Sequence, residues 1–245
     1  MNREFLDDLN SGKVRIAKKI NNKWVVYREV KEQILRLFKE GELAEKSWCG
    51  GLFFDKEVLS VRNFSLNSKV RLVPGGTSLR NGCYIANGVI IMPPSFVNIG
   101  AFVDEGTMID SHVLVGSCAQ IGKKVHLSAG VQIGGVLEPV GTLPVIIEDD
   151  VFVGGNCGIY DGVVIRQGAV LGSGVILNKS IKIYDAVNHK WLDKQDEIWE
   201  IPAGAVVVSG SRPLGEAGIQ IYCPVIIKYK DHKTTKSIEL EDKLR

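Results

Sequence analysis

Arg71, Asp104, Glu105, Asp110, His112 and His126 are of the types that bind anions or carry protons, and they fall close together in the chain. A carboxylate or an imidazole can take a proton from a nucleophile as a general base. The planar fork of arginine grips carboxylates through paired hydrogen bonds. Cys118 lies among them, but nothing in its surroundings favours a thiolate nucleophile. Whether these groups meet depends on the chain path between them, and the apolar residues set that path.

Those apolar residues recur every six. From Val73 the step reaches Leu79, Ile85, Ile91, Val97, Val103, Ile109, Val115, Ile121, Leu127 and Ile133. GGVLEPVGTLPVI then adds eight residues, and the step resumes from Ile147 through Val153, Ile159, Ile165, Leu171 and Leu177 to Ile183, giving 11 + 7 = 18 hexads. The fourth residue after each aliphatic is small or β-branched, from Thr77 and Cys83 to Ala169 and Val175, and the third is often glycine. Residues two apart share one face of a strand, so each hexad predicts a very short strand with two inward side chains and then a tight corner. Three strands and three corners close a coil, and stacked coils make a triangular prism with aliphatic ladders inside. The spacing thus predicts a parallel β-helix. Asp110, one residue past inward Ile109, faces outward.

Composition narrows the rest. The 245 residues are 45% hydrophobic and carry a net charge of +2 from 30 basic and 28 acidic side chains, which gives no reason to expect nucleic acid or a polybasic membrane anchor as partner. No apolar run approaches a membrane span, and MNREFLDDLN is not a signal peptide. Cys49, Cys83, Cys118, Cys157 and Cys223 are odd in number and lack a CxxC pair, so reduced thiols in a cytoplasmic protein are expected rather than disulfides or zinc. Glycine is scarce before residue 70. There VRIAKKI and KWVVY flank Asn21-Asn22 as a hairpin, and REVKEQILRLFKE predicts a helix that stops at Gly41. The expected division is a small helical or α+β module over 1–70, the β-helix over 71–210, and a strand and tail over 211–245. NHKWLDKQDEIWE (188–200) leaves the prism as a hairpin or loop, IPAGAVVVSG restores the step at Ile201 and Val207, and IQIYCPVIIKY forms a final strand. Lys228, Lys230, Lys233 and Lys236 read as a solvated tail or as contacts to an anionic ligand.

The repeat resembles the left-handed hexapeptide β-helix of acyltransferases that use coenzyme A thioesters. The left hand comes from that resemblance, since crossover rules favour the right. VRLVPGG (70–76), MPPSFVNIGAFVDEGTMIDS (92–111), VGSCAQIGKKVHLS (115–128), IGGVLEP (133–139) and IPAGAVVVSG (201–210) are similar to the tetrahydrodipicolinate N-succinyltransferases, over about residues 70–230. The resemblance implies transfer of a succinyl group from succinyl-CoA, a cosubstrate, to the amine of the ring-opened cyclic dicarboxylate in the diaminopimelate and lysine pathway. It implies a homotrimer and no permanently bound cofactor or metal.

By the same resemblance Arg71 contacts a substrate carboxylate; otherwise it is a surface ion-pairing residue. Asp110 binds the amino region and acts as base; otherwise it is a solvated carboxylate. Ser209, Gly210 and Arg212 in SGSRP are a candidate turn near the coenzyme A arm. The insertion EPVGTLPV reaches a neighbouring subunit's active site or stays a passive loop. One departure stands out: Gly158 in GGNCGIYDG falls where many members carry a glutamate, and Asp161 is the nearest substitute. The chemistry also requires cationic groups for substrate carboxylates and N–H donors for the oxyanion. Rival readings are an acetyl-CoA-dependent transferase with a histidine base, His112 or His126, and a non-catalytic or metal-binding β-helix. His112 and His126 are 14 apart, whereas stacking on one prism face needs a multiple of 18, which counts against a zinc site.

Overall fold

A computed structural model describes residues 2–48, 50–216 and 218–230; Cys49, His232, Lys233 and Lys236 lie outside the described residues. The chain winds into the expected left-handed parallel β-helix with three faces. The first face stacks Ser78–Leu79, Phe96–Val97, Leu114–Val115, Gln132–Ile133, Gly158–Ile159 and Ile176–Leu177. The second stacks Tyr84–Ile85, Phe102–Val103, Gln120–Ile121, Ile146–Ile147, Val164–Ile165 and Glu200–Ile201. The third runs from Arg71–Leu72 through Ile90–Ile91, Met108–Ile109, His126–Leu127, Phe152–Val153 and Val170–Leu171 to Ala205–Pro213.

In the regular coils the second residue of every two-residue strand points inward and is buried, as is the small residue two before it. These paired ladders form one continuous apolar core along the prism. Most corners close with a left-handed backbone at the third residue after the inward aliphatic. Glycine supplies it at Gly82, Gly100, Gly130 and elsewhere, but His112 (φ 62°), Cys118 (φ 70°), Lys124 (φ 53°), Asp150 (φ 58°) and Asn156 (φ 58°) adopt it too. The corner geometry is dictated by closure of the coil, and non-glycine residues accept the strain where it must be met.

Two ends of the predicted repeat need correction. On the third face Leu72, not Val73, pairs with Ile91, because the corner Val73-Pro74-Gly75-Gly76-Thr77 holds one residue more than the others. Val73 is therefore only half-buried. At the other end Ile183 is fully buried but belongs to no rung. The chain leaves the prism after Leu177 and rejoins it at Glu200–Ile201. In between, Tyr184–Asp185 and Lys190–Trp191 form a small hairpin. Asp185, 1% exposed, accepts from the backbone of Val187 and Asn188, the amide of Asn188 and the hydroxyl of Tyr229.

The N-terminal part packs on the prism. Helix α1 (Asn2–Asn10) and helix α2 (Arg28–Glu40) bury Leu6, Leu9, Val30, Ile34 and Leu37 against the corner residues Ile99 and Cys118. Between them the expected hairpin, Ala17–Ile20 with Lys23–Val26, turns at Asn21 (φ 47°) and Asn22 (φ 63°) and covers the second face. Gly41 ends α2 with φ −70° and ψ 138°, so it stops the helix without a left-handed cap. Among the described residues no helix is long and apolar enough to cross a membrane.

Glu148 latches this hairpin to the prism. It is 8% exposed and accepts from Lys19 Nζ (2.8 Å), Trp24 Nε1 (2.9 Å), Arg166 Nη1 (2.9 Å) and the backbone of Gln167 (3.1 Å). Burial alone would raise its pKa, but these donors hold it below the ordinary 4.5. The folded state thus prefers the carboxylate, and its contribution is complete above pH 4.5 and lost as pH falls through and below that value. Glu148→Gln should melt earlier than wild type at neutral pH, with the two curves converging in acid. A melting difference that stays constant with pH would remove Glu148 as the latch.

Candidate active site

Asp110 sits at the corner between the third and first faces. Its backbone N–H donates to Leu127 O at 2.9 Å, its carbonyl accepts from the Ser95 hydroxyl at 2.8 Å, and its Oδ1 accepts from the Ser111 N–H at 2.7 Å. Two backbone hydrogen bonds fix the residue and one fixes its half-buried carboxylate, and among the described residues none occupies Oδ2. A fixed carboxylate with one open oxygen is what a general base needs.

Arg71 lies on the third face two rungs, roughly 10 Å along the prism, from Met108–Ile109, the strand that leads into the Asp110 corner. Arg71 is exposed and borders a cleft of about 950 Å³ at the open end of the first coil. Lys69 and Arg62 line it with Trp48 and Phe64, and among the described residues no acidic side chain does. Arg62 is committed to structure, donating to the carbonyls of Cys83 and Asn10. Lys69 and Arg71 are the other cations among the described residues that line the cleft.

The remaining candidates separate. His112 shares Asp110's corner as its left-handed residue. His126 points outward from the third face with its ring stacked on Phe152 at 5.0 Å. Asp104 and Glu105 occupy the corner between the second and third faces, where Asp104 Oδ1 accepts from the Glu105 N–H and Glu105 pairs with Lys123 at 2.9 Å. They shape that corner and do not join Asp110. Cys118 is fully buried, and burial pushes its thiol up to about 12, which leaves no thiolate for nucleophilic attack.

SGSRP is not a turn. Ser209, Gly210 and Arg212 lie in the middle of Ala205–Pro213, which pairs antiparallel with Gln220–Tyr229, and the turn comes beyond Pro213. Extended pairing wins because Gly210 faces Cys223 and Val225 so closely that a Cβ there would lie 2.7 Å from Val225. Ser209 is exposed and donates to Gly174 O at 3.1 Å. The long hairpin extends the third face past the last coil.

Gly158 faces outward on the first face, yet it is buried, because the Tyr160 ring folds across it. A Cβ at Gly158 would meet that ring at 2.6 Å, and one at Gly134 would meet it at 2.8 Å. Asp161 does not fill the place: it sits at the next corner and accepts from the Lys179 N–H at 3.1 Å. The insertion after Ile133 is tied down by Lys31, which is fully buried on α2 and donates to the carbonyls of Val136 and Thr142. Burial lowers the Lys31 pKa. Sequence reading passed over Tyr160 and Lys31. A lysine three residues before Ile34, on the apolar stripe of α2, was the available signal for Lys31.

Comparison with known proteins follows this geometry. A family described as "Hexapeptide repeat of succinyl-transferase" matches residues 66–93 and 144–179. A 2,3,4,5-tetrahydropyridine-2,6-dicarboxylate N-succinyltransferase of Blochmanniella pennsylvanica is 42% identical over 99% of this chain and 88% of its own. Enzymes of the same name from Legionella pneumophila (42%, 99% and 87%) and Proteus mirabilis (42%, 97% and 85%) align as fully.

Proposed function

Because the chain belongs to the 2,3,4,5-tetrahydropyridine-2,6-dicarboxylate N-succinyltransferase family, we propose a mechanism in which Asp110 and Arg71 carry its reaction. The enzyme is an acyltransferase that moves the succinyl group of succinyl-CoA to the amine of the ring-opened dicarboxylate in the diaminopimelate and lysine pathway. Asp110 takes a proton from the amine as its nitrogen attacks the thioester carbonyl. Backbone N–H groups of a glycine-rich corner stabilise the resulting oxyanion. Collapse breaks the C–S bond, and the coenzyme A thiolate leaves and is protonated. Arg71, with Lys69 beside it, holds substrate carboxylates at the open cleft. With Gly158 covered by Tyr160, Asp110 acts without a second carboxylate, and positioning supplies more of the rate.

The observation that carries the reading is the open Oδ2 of an anchored Asp110 at the corner that borders the face bearing Arg71. The same proposal includes a homotrimer, to which a prism with three flat faces lends itself, with active sites in grooves between prisms and Ser209, Gly210 and Arg212 near the coenzyme A arm. It also includes a cytoplasmic location, to which the free buried thiols at Cys83, Cys118, Cys157 and Cys223 are suited. An acyl-donor comparison with the cyclic dicarboxylate as acceptor, following thiol release, tests the activity. Succinyl-CoA should turn over faster than acetyl-CoA, and the reverse order would reject succinyl transfer while leaving the fold untouched.

A further inference from the structure

Under the edge of the 17–26 hairpin, at a different corner from Asp110, a cavity of about 250 Å³ opens between the second and third faces. Gly122 forms its floor, with Asp104 one rung before and Glu148 one rung after. The absent side chain makes the notch: a Cβ on Gly122 would lie 2.4 Å from Asp149 Oδ1. Glu148 is already saturated by Lys19, Trp24, Arg166 and the Gln167 backbone. Three charged groups remain. The Arg15 guanidinium lies 3.7 Å over the Phe102 ring, and its Nε donates to Gln120 Oε1 at 2.7 Å. Among the described residues its two terminal nitrogens have no protein acceptor and no ion pair. Asp104 and Asp149 each use Oδ1 on a backbone N–H, of Glu105 and Lys123, both at 2.8 Å, which leaves one oxygen apiece.

We propose that this cavity binds the zwitterion of a small α-amino acid, its carboxylate on the terminal nitrogens of Arg15 and its ammonium between the open oxygens of Asp104 and Asp149. A simple anion would meet two carboxylates there, and a simple cation would meet the guanidinium. A molecule bearing an ammonium and a carboxylate on the same carbon satisfies all three groups at once. Burial draws the Arg15 pKa down while Asp104 and Asp149 draw it back up, so the fork is poorly hydrated and gains from an anionic partner. At about 30 Å³ per water the space holds about eight waters, enough for an amino acid of alanine or valine size beside Trp24. The proposal is independent of the acyltransferase mechanism, and its test needs no turnover.

The test is calorimetric titration of the full chain with L-alanine, N-acetyl-L-alanine and L-alaninamide, together with amide hydrogen exchange over residues 17–26. L-alanine should saturate with a Kd of about 1–10 mM and slow exchange in the hairpin, while the two blocked derivatives bind at least about tenfold more weakly. Arg15→Gln and Asp104→Asn should each weaken L-alanine by about tenfold or more. If Arg15→Gln fails to fold, Asp104→Asn on the outer corner decides alone. No saturation by L-alanine, blocked derivatives that bind as well, or unchanged binding in a folded Asp104→Asn variant would each overturn the proposal.

Discussion

Asp110→Asn is expected to fold as wild type and to lose turnover by about 10²–10⁴-fold. Asparagine keeps the oxygen that accepts from the Ser111 N–H, and the backbone contacts to Leu127 and Ser95 do not involve the side chain. Melting temperature and oligomeric state should therefore hold. The open oxygen becomes an amide nitrogen that cannot take a proton, so the loss should fall on kcat. A near-normal rate in a correctly folded variant would remove Asp110 from the chemistry and leave the fold and family intact.

Gly116→Ala should be among the most damaging small substitutions for stability. A Cβ there would lie 2.2 Å from Gly135 N and 2.6 Å from Gly134 C, and both are backbone atoms that cannot rotate away. Gly116 donates to Ile133 O at 2.8 Å, and Val136 donates back to Ser117 O at 3.1 Å. The start of the insertion is thus pinned against this corner from both sides. The expected cost is about 3 kcal/mol, or roughly 6–12 °C in melting temperature for a chain of this size. Gly174→Ala is the control: it has φ 75° and nothing within 4 Å of its Cβ, so backbone strain of about 1–2 kcal/mol is all it should cost. Equal, small shifts in both variants would show that the insertion yields freely and that the close approach at Gly116 does not matter.

The step of six was legible because every regular rung, from Leu79 to Leu177, sets the same requirement: two inward apolar side chains and a corner. The hairpin at Asn21-Asn22 and α2 were legible for local reasons, turn chemistry and a 3.6-residue stripe. The ends of the repeat were not, since one extra corner residue beside Pro74 shifts the register without altering the apolar pattern. SGSRP read as a turn because serine, glycine and proline favour one locally, and long-range pairing with Gln220–Tyr229 overrode that preference. The outward position of Asp110 followed from its place after Ile109, but the hydrogen bonds that fix it come from residues 95, 111 and 127.

By itself the sequence determined the three-sided prism, though not its hand, because a demand for burial repeated every six residues is met by short strands and tight corners. It also determined that Asp110 would face outward, since strand side chains alternate. Only the tertiary structure decided which groups share a corner, that Tyr160 covers Gly158, that Lys31 holds the insertion, and that Arg15 faces Asp104 and Asp149. Apart from Tyr160 and Gly158, which lie two apart in one coil, each of these joins residues from different coils or from the N-terminal part, and such contacts depend on how coils stack and what packs over them, which no local pattern encodes.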